Sequence, residues 1–110
     1  MKFRIGGKES KFSIAVAVNT CAAMNLAYKT YHTKIYKRYP HLVADYTAFR
    51  EDGFQMFDIG GIDDDEQGIM ANTAITYYTP FFHNTEQIKI QFALSESLTT
   101  NTILGFPFIV

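Results

Sequence analysis

The spacing of apolar side chains changes abruptly at Cys21. Before it, Phe12, Ile14, Val16 and Val18 alternate with Ser13, Ala15 and Ala17. That period of two, rich in β-branched residues, predicts a strand over residues 12–18 buried on at least one face. After it, Met24, Tyr28, Tyr31, Ile35, Tyr39, Leu42 and Tyr46 step by three or four, which traces one face of a helix. A chain that passes from a strand pattern to a helix pattern through Asn19-Thr20-Cys21-Ala22-Ala23 has to place a tight loop there. Asn25 stands where a helix cap is expected. Lys29, Lys34, Lys37 and Arg38 occupy the other faces, the last two suitably near a helix C-terminus. Pro40 should end this helix at about Tyr39 and begin a second short one over 40–49, because proline suits only a first turn. The tyrosine stripe reads as core packing rather than a ligand site.

The remaining punctuation is mostly β. Phe3 and Ile5 before Gly6-Gly7 predict a short strand and a turn, making a hairpin with residues 12–18. Phe54, Met56 and Ile59 suggest a strand reaching Gly60-Gly61. Residues 69–78 form another candidate, with Thr73, Ile75, Thr76, Tyr77 and Tyr78 all strand formers, and Pro80 stops it. Ile88, Ile90, Phe92 and Leu94 alternate with Lys89, Gln91 and Ala93, the clearest strand pattern in the chain. Residues 95–101 are polar and turn-like, and Ile103-Leu104 restarts an apolar strand.

With 110 residues, the chain is one domain, 1–110. No apolar run approaches the length of a membrane span, so no membrane partner is expected. The start, Met1-Lys2-Phe3-Arg4-Ile5, lacks the apolar core of a signal peptide. The single cysteine excludes an internal disulfide and fits a reducing, intracellular setting. Charge is unevenly spread. Residues 1–41 hold eight lysines and arginines and one acid, a net of +7; residues 42–110 hold two and ten, a net of −8. Such asymmetry is compatible with a nucleic-acid face. With no nucleic-acid motif beside it, it reads instead as two halves of one domain attracting each other, and no nucleic-acid partner is expected.

Two distant segments, Asn19-Thr20-Cys21-Ala22-Ala23-Met24-Asn25 and Asn101-Thr102-Ile103-Leu104-Gly105-Phe106-Pro107, carry a resemblance. They resemble the two ends of a retropepsin-like domain, the aspartic protease unit of retroviruses and LTR retrotransposons. That family has apolar-apolar-Asp-Thr/Ser-Gly-Ala near its start and Ile-Leu-Gly near its end. Some diatom retrotransposon polyproteins are more similar still, with Asp-Thr/Ser-Cys-Ala-Gly-Met-Asn, a helical insert and a closing Asn-Thr-Ile-Leu-Gly-x-Pro. Cys21 in the glycine position is then a feature of that variant. The resemblance implies a mostly β fold, a closed or curled retropepsin-like sheet with one or two helices inserted at about residues 24–49. It assigns Asn19, Thr20 and Cys21 to the catalytic loop, with Asn19 in the place of the catalytic Asp. Ile59, Gly60 and Gly61 fall where a substrate-covering flap begins, and Ile103, Leu104 and Gly105 take the closing structural position.

The chemistry of that family needs two carboxylates sharing one proton, one from each subunit of a homodimer, one as base on water and one as acid. The amide of Asn19 supplies neither role. The resemblance therefore implies an aspartic endopeptidase fold, a polyprotein protease domain that is non-hydrolytic as written. The alternative is a peptide-binding or assembly module on the same fold. A third reading is an unrelated small α+β domain. The implied partners are a peptide or polyprotein segment and a second copy. The implied location is the cytoplasm or a retrotransposon particle. Retroviral relatives continue past the position of Val110 into a strand that pairs across the dimer, so a weakened dimer is expected. No cofactor or metal is expected. The acidic run at residues 63–66 lacks the ladder of a calcium loop and reads as solvated. His32, His41 and His83 are not at ligand spacing and read as surface or structural histidines. Cys21, with no histidine placed beside it, reads as an inert thiol.

Overall fold

The computed structural model describes residues 1–7, 9–18, 24–48, 55–58, 68–80, 87–96 and 101–105. Among these residues the fold is mostly β, with one α-helix. Strand β1 (Lys2–Arg4) pairs antiparallel with β2 (Ser13–Ala15), Phe3 opposite Ile14, as the alternation predicts. The chain leaves β1 through Gly6 and Gly7, whose φ angles of 94° and 92° lie in the left-handed region that glycine alone enters freely. A Cβ on Gly6 would run into the side chains of Leu42 and Ser10. The Gly6 N–H donates to the Tyr78 carbonyl at 2.6 Å, tying this hairpin to the main sheet.

The run at residues 12–18 is two strands rather than one. At Val16, whose N–H donates to the Met1 carbonyl at 2.9 Å, the chain leaves the hairpin, and β3 (Ala17–Val18) joins a six-stranded sheet. The other members are β4 (Leu26–Tyr28), β5 (Val43–Ala48), β8 (Thr73–Pro80), β9 (Gln87–Ser95) and β10 (Thr102–Leu104), in the order β3-β10-β4-β9-β8-β5. A separate antiparallel ribbon joins β6 (Gln55–Asp58) to β7 (Gly68–Ala71). The expected strand over 69–78 is thus divided at Asn72. Among the described residues the six-stranded sheet is open, not closed: its edges β3 and β5 pair with no further strand of the sheet order.

The helical insert is shorter than the periodicity predicts. Helix α1 spans Lys29–Arg38, and a single 3-10 turn follows at Pro40–Leu42; both flanks of the expected 24–49 insert are strands. Leu26 and Ala27 are successive residues on opposite faces of β4 and both are fully buried, and a strand buried on both faces shows no alternation to distinguish it from a helix. Pro40 does end α1, at Tyr39. Asn25 is not its cap: the N-cap residue is Tyr28, which makes no side-chain capping bond.

One apolar cluster joins the hairpin (Phe3, Ile5, Ile14), α1 (Ile35), the 3-10 turn (Leu42) and the sheet (Ile75, Tyr77, Ile90, Phe92, Leu94, Leu104). Tyr31, Tyr39 and Tyr46 of the tyrosine stripe pack against it, as core packing requires. The sheet face bearing Tyr77 and Phe92 turns toward α1, where the His32 ring stacks on Phe92 at 6.2 Å.

Candidate functional site

β3 and β4 are the two legs of the segment that contains residues 19–25, and β10 is threaded between them. β10 runs parallel to β3, with Leu104 opposite Val18, and antiparallel to β4, with Ile103 opposite Leu26. The residues immediately before Asn19 and before Gly105 are therefore partners in one ladder. Ile103 and Leu104 are buried, at 7% and 0% exposure, and Gly105 is buried beside them.

Asn25 fastens this arrangement. Its Oδ1 accepts from the Gly105 N–H at 2.8 Å, and its Nδ2 donates to the Gln91 carbonyl at 3.2 Å. Its own carbonyl accepts from the Ala93 N–H at 2.9 Å. One buried amide thus joins the end of β10 to β9 across β4. A buried polar side chain is tolerated only when its groups are paired, and both ends of this amide are.

A second polar link holds the other end of β10. His32 of α1 is fully buried, with Nδ1 2.5 Å from the Tyr77 hydroxyl and Nε2 2.8 Å from the Thr102 hydroxyl. A neutral ring carries one N–H and one lone pair, so it donates to one hydroxyl and accepts from the other. Burial lowers the His32 pKa to about 4, opposed by a hydrogen bond with the Asn101 backbone, so the ring is neutral at pH 7. Burial, with the Tyr31 phenol adding to it, raises the Tyr77 pKa well above the tyrosine range. Helix, sheet centre and β10 are thereby tied at Thr102, three residues before Gly105.

Of the residues singled out in the sequence, Ile103, Leu104 and Gly105 lie in and just after β10, at the mouth of the 19–25 segment. Asn19, Thr20 and Cys21 lie outside the described residues. So do Ile59, Gly60 and Gly61, the acidic run at residues 63–66, and His83. His41 is exposed and His32 is structural. Among the described residues, no group of three or more His, Cys, Asp or Glu side chains is arranged to hold a metal ion. No helix among them is long and apolar enough to cross a membrane.

Sequence reasoning missed the parts played by Asn25, His32, Tyr77 and Thr102. A signal was present for two of them. Asn25 interrupts Met24-Asn25-Leu26-Ala27, and a lone amide in an apolar run has to find partners when that run is buried. His32 sits three residues before Ile35, on the buried face of α1.

What fold and site define together, among the described residues, is a mostly β arrangement with an open six-stranded sheet and one α-helix. No protein-family model, curated protein or solved structure matches this chain.

Proposed function

We propose that this chain is the retropepsin-like aspartic protease domain of a retrotransposon polyprotein, non-hydrolytic as written because Asn19 stands in the place of the catalytic Asp. The observation that carries the reading is the threading of β10 between β3 and β4. The resemblance requires the segment at 19–21 to lie against Ile103-Leu104-Gly105. Support comes from the ladder that pairs Val18 with Leu104 and from the bond between Asn25 and the Gly105 N–H, which brings both flanks of that segment to the end of β10.

On this reading, a homodimer presents two copies of residue 19 to one peptide. Two amides in that position bind without activating water, because neither ionises nor accepts a proton in the working range. Asn19→Asp supplies the missing pair. Two close carboxylates share one proton, so activity is expected at acidic pH, where one is ionised and its neighbour is not.

The test is cleavage of a peptide library by the chain and by Asn19→Asp, both at high protein concentration, read by mass spectrometry from pH 3 to 8. The expected result is products from Asn19→Asp alone, with an acidic optimum. The same products from the unaltered chain would place the chemistry elsewhere. Silence from Asn19→Asp in a preparation shown by sedimentation to be dimeric would overturn the protease reading. The non-catalytic alternative, a peptide-binding or assembly module, is favoured by Asn19 itself. It predicts that the unaltered chain retains library peptides without cutting them.

A further inference from the structure

Helix α1 carries four of the eight basic residues of the first 41 positions and no acid. His32 and Ile35 face the core, and the lysines turn away from it. Lys29, Lys34 and Lys37, with the hydroxyl-bearing Thr30 and Thr33, line a shallow groove of about 310 Å³ whose far wall is Glu96 at the end of β9. Three lysines thus share this groove with one glutamate, and no ion pair among the described residues engages them. Lys29 and Lys37 are eight residues apart, about 12 Å along the axis at the helical rise.

An aromatic platform adjoins the groove. Tyr36 lies flat on Tyr46 of β5, with ring centroids 4.5 Å apart and planes 4° from parallel. The pair is held against the groove wall by the Thr33 hydroxyl, 2.9 Å from that of Tyr46. Tyr36 is 38% exposed, one of three large apolar side chains among the described residues that face solvent so freely.

We propose that this face of α1 binds single-stranded nucleic acid, the lysines taking successive phosphates and Tyr36 stacking on a base. Lysines tracking a backbone beside an exposed ring are the two elements such binding requires. An acidic peptide would match the lysines and leave the tyrosine platform unused. A duplex keeps its bases stacked on one another and offers the ring nothing. An anionic membrane surface would call for further apolar anchors, and Tyr36 is the only exposed large apolar residue on the helix. The inference is independent of what residues 19–21 do.

The test is fluorescence anisotropy with the full chain and labelled oligo(dT) and oligo(rU) of about 20 nucleotides. Three phosphates neutralised on a single strand give a slope of about −2 in log K against log salt, so binding at about 200 mM salt should be roughly 15- to 20-fold weaker than at about 50 mM. Lys29→Gln/Lys34→Gln/Lys37→Gln should lose at least about tenfold at the lower salt. Lys34→Gln and Lys37→Gln singly should each reduce the slope by about 0.7. Tyr36→Ala should weaken binding at least about fivefold and leave the salt slope unchanged, since stacking releases no counterion. Lys2→Gln/Lys11→Gln, outside the groove, should change little. Far-UV circular dichroism checks that each variant keeps its helix. The proposal is overturned by absence of binding at low salt, by a duplex of equal length binding as tightly, or by polyglutamate or phosphatidylserine vesicles competing equally per charge. It is equally overturned if the triple lysine variant or Tyr36→Ala binds like the unaltered chain.

Discussion

Asn25 commits both ends of its amide to backbone groups that no other described side chain reaches, the Gly105 N–H and the Gln91 carbonyl. Truncation to Ala leaves a buried N–H without an acceptor, which costs about 1–3 kcal/mol. Asn25→Ala should lower the urea midpoint accordingly. Asn25→Asp keeps the acceptor for Gly105 but sets a carboxylate against the Gln91 carbonyl, so it should be destabilised more at pH 7 than at pH 4. Equal loss at both values would show that the Gln91 bond does not matter. Gly6 makes a different demand. Its positive φ and the side chains of Leu42 and Ser10 leave no room for a Cβ. Gly6→Ala should cost more than the ~1 kcal/mol of the dihedral alone, because Leu42 has to move as well. A thermal melt within a degree of the unaltered chain would refute that.

Which elements could be read in advance depends on how many of their faces are buried. β9 was legible because Ile90 and Phe92 turn inward while Lys89 and Gln91 turn out. Even so, Ala93 and Ser95 on its other face are buried too, where alternation gave no hint. The hairpin of β1 and β2 was legible for the same reason, with Gly6-Gly7 marking its turn. β4 was not, since Leu26 and Ala27 on its two faces are both buried, and Met24 and Tyr28 on either side of them fall on a helical step. β5 was hidden by Tyr46, which happens to fall on the helical step from Leu42 yet rests its ring under Tyr36 from a strand. At the candidate site, Ile103-Leu104-Gly105 was recognisable as a buried run with a glycine. The partnership of Asn25 with Gly105 was not, because nothing local in either segment encodes a contact across eighty positions. Leu26→Ala tests the strand assignment energetically. A fully buried side chain at the sheet centre should cost about 2–5 kcal/mol, read from denaturant unfolding. A loss under about 1 kcal/mol would mean that β4 is not central.

The stability of the molecule as a whole should depend on pH through His32. Its pKa falls from the ordinary 6.5 to about 4 on folding, so the unfolded chain binds the extra proton first. The contribution is fully present above pH 6.5 and is lost as pH falls through about 4, a change of about 3 kcal/mol. Tyr77 acts at the other end: its raised pKa gives stability present below pH 10 and lost as the solution becomes strongly alkaline. His32→Gln should be less stable at pH 7, because the ring stacking is gone. Its stability should nevertheless fall less steeply between pH 6.5 and 4, and a parallel decline would assign the slope to carboxylates instead. If Asn19→Asp is active, the acid limit of its activity should reflect this loss of structure as well as the carboxylate pair.

The threaded strand has a consequence for how the polypeptide is made. β3 and β4 emerge from the ribosome early, but the strand that belongs between them is synthesised more than seventy residues later than either. Until then, the legs have no ladder to share, and β4 can pair only after β9 has been completed. Assembly of the sheet should therefore wait for β10 and be slow for the size of the domain, because distant partners carry a loop-closure cost before any contact offsets it. The nascent chain meanwhile displays the unpaired edges of β3 and β4, the circumstance in which chaperones are recruited and strands exchange between neighbours.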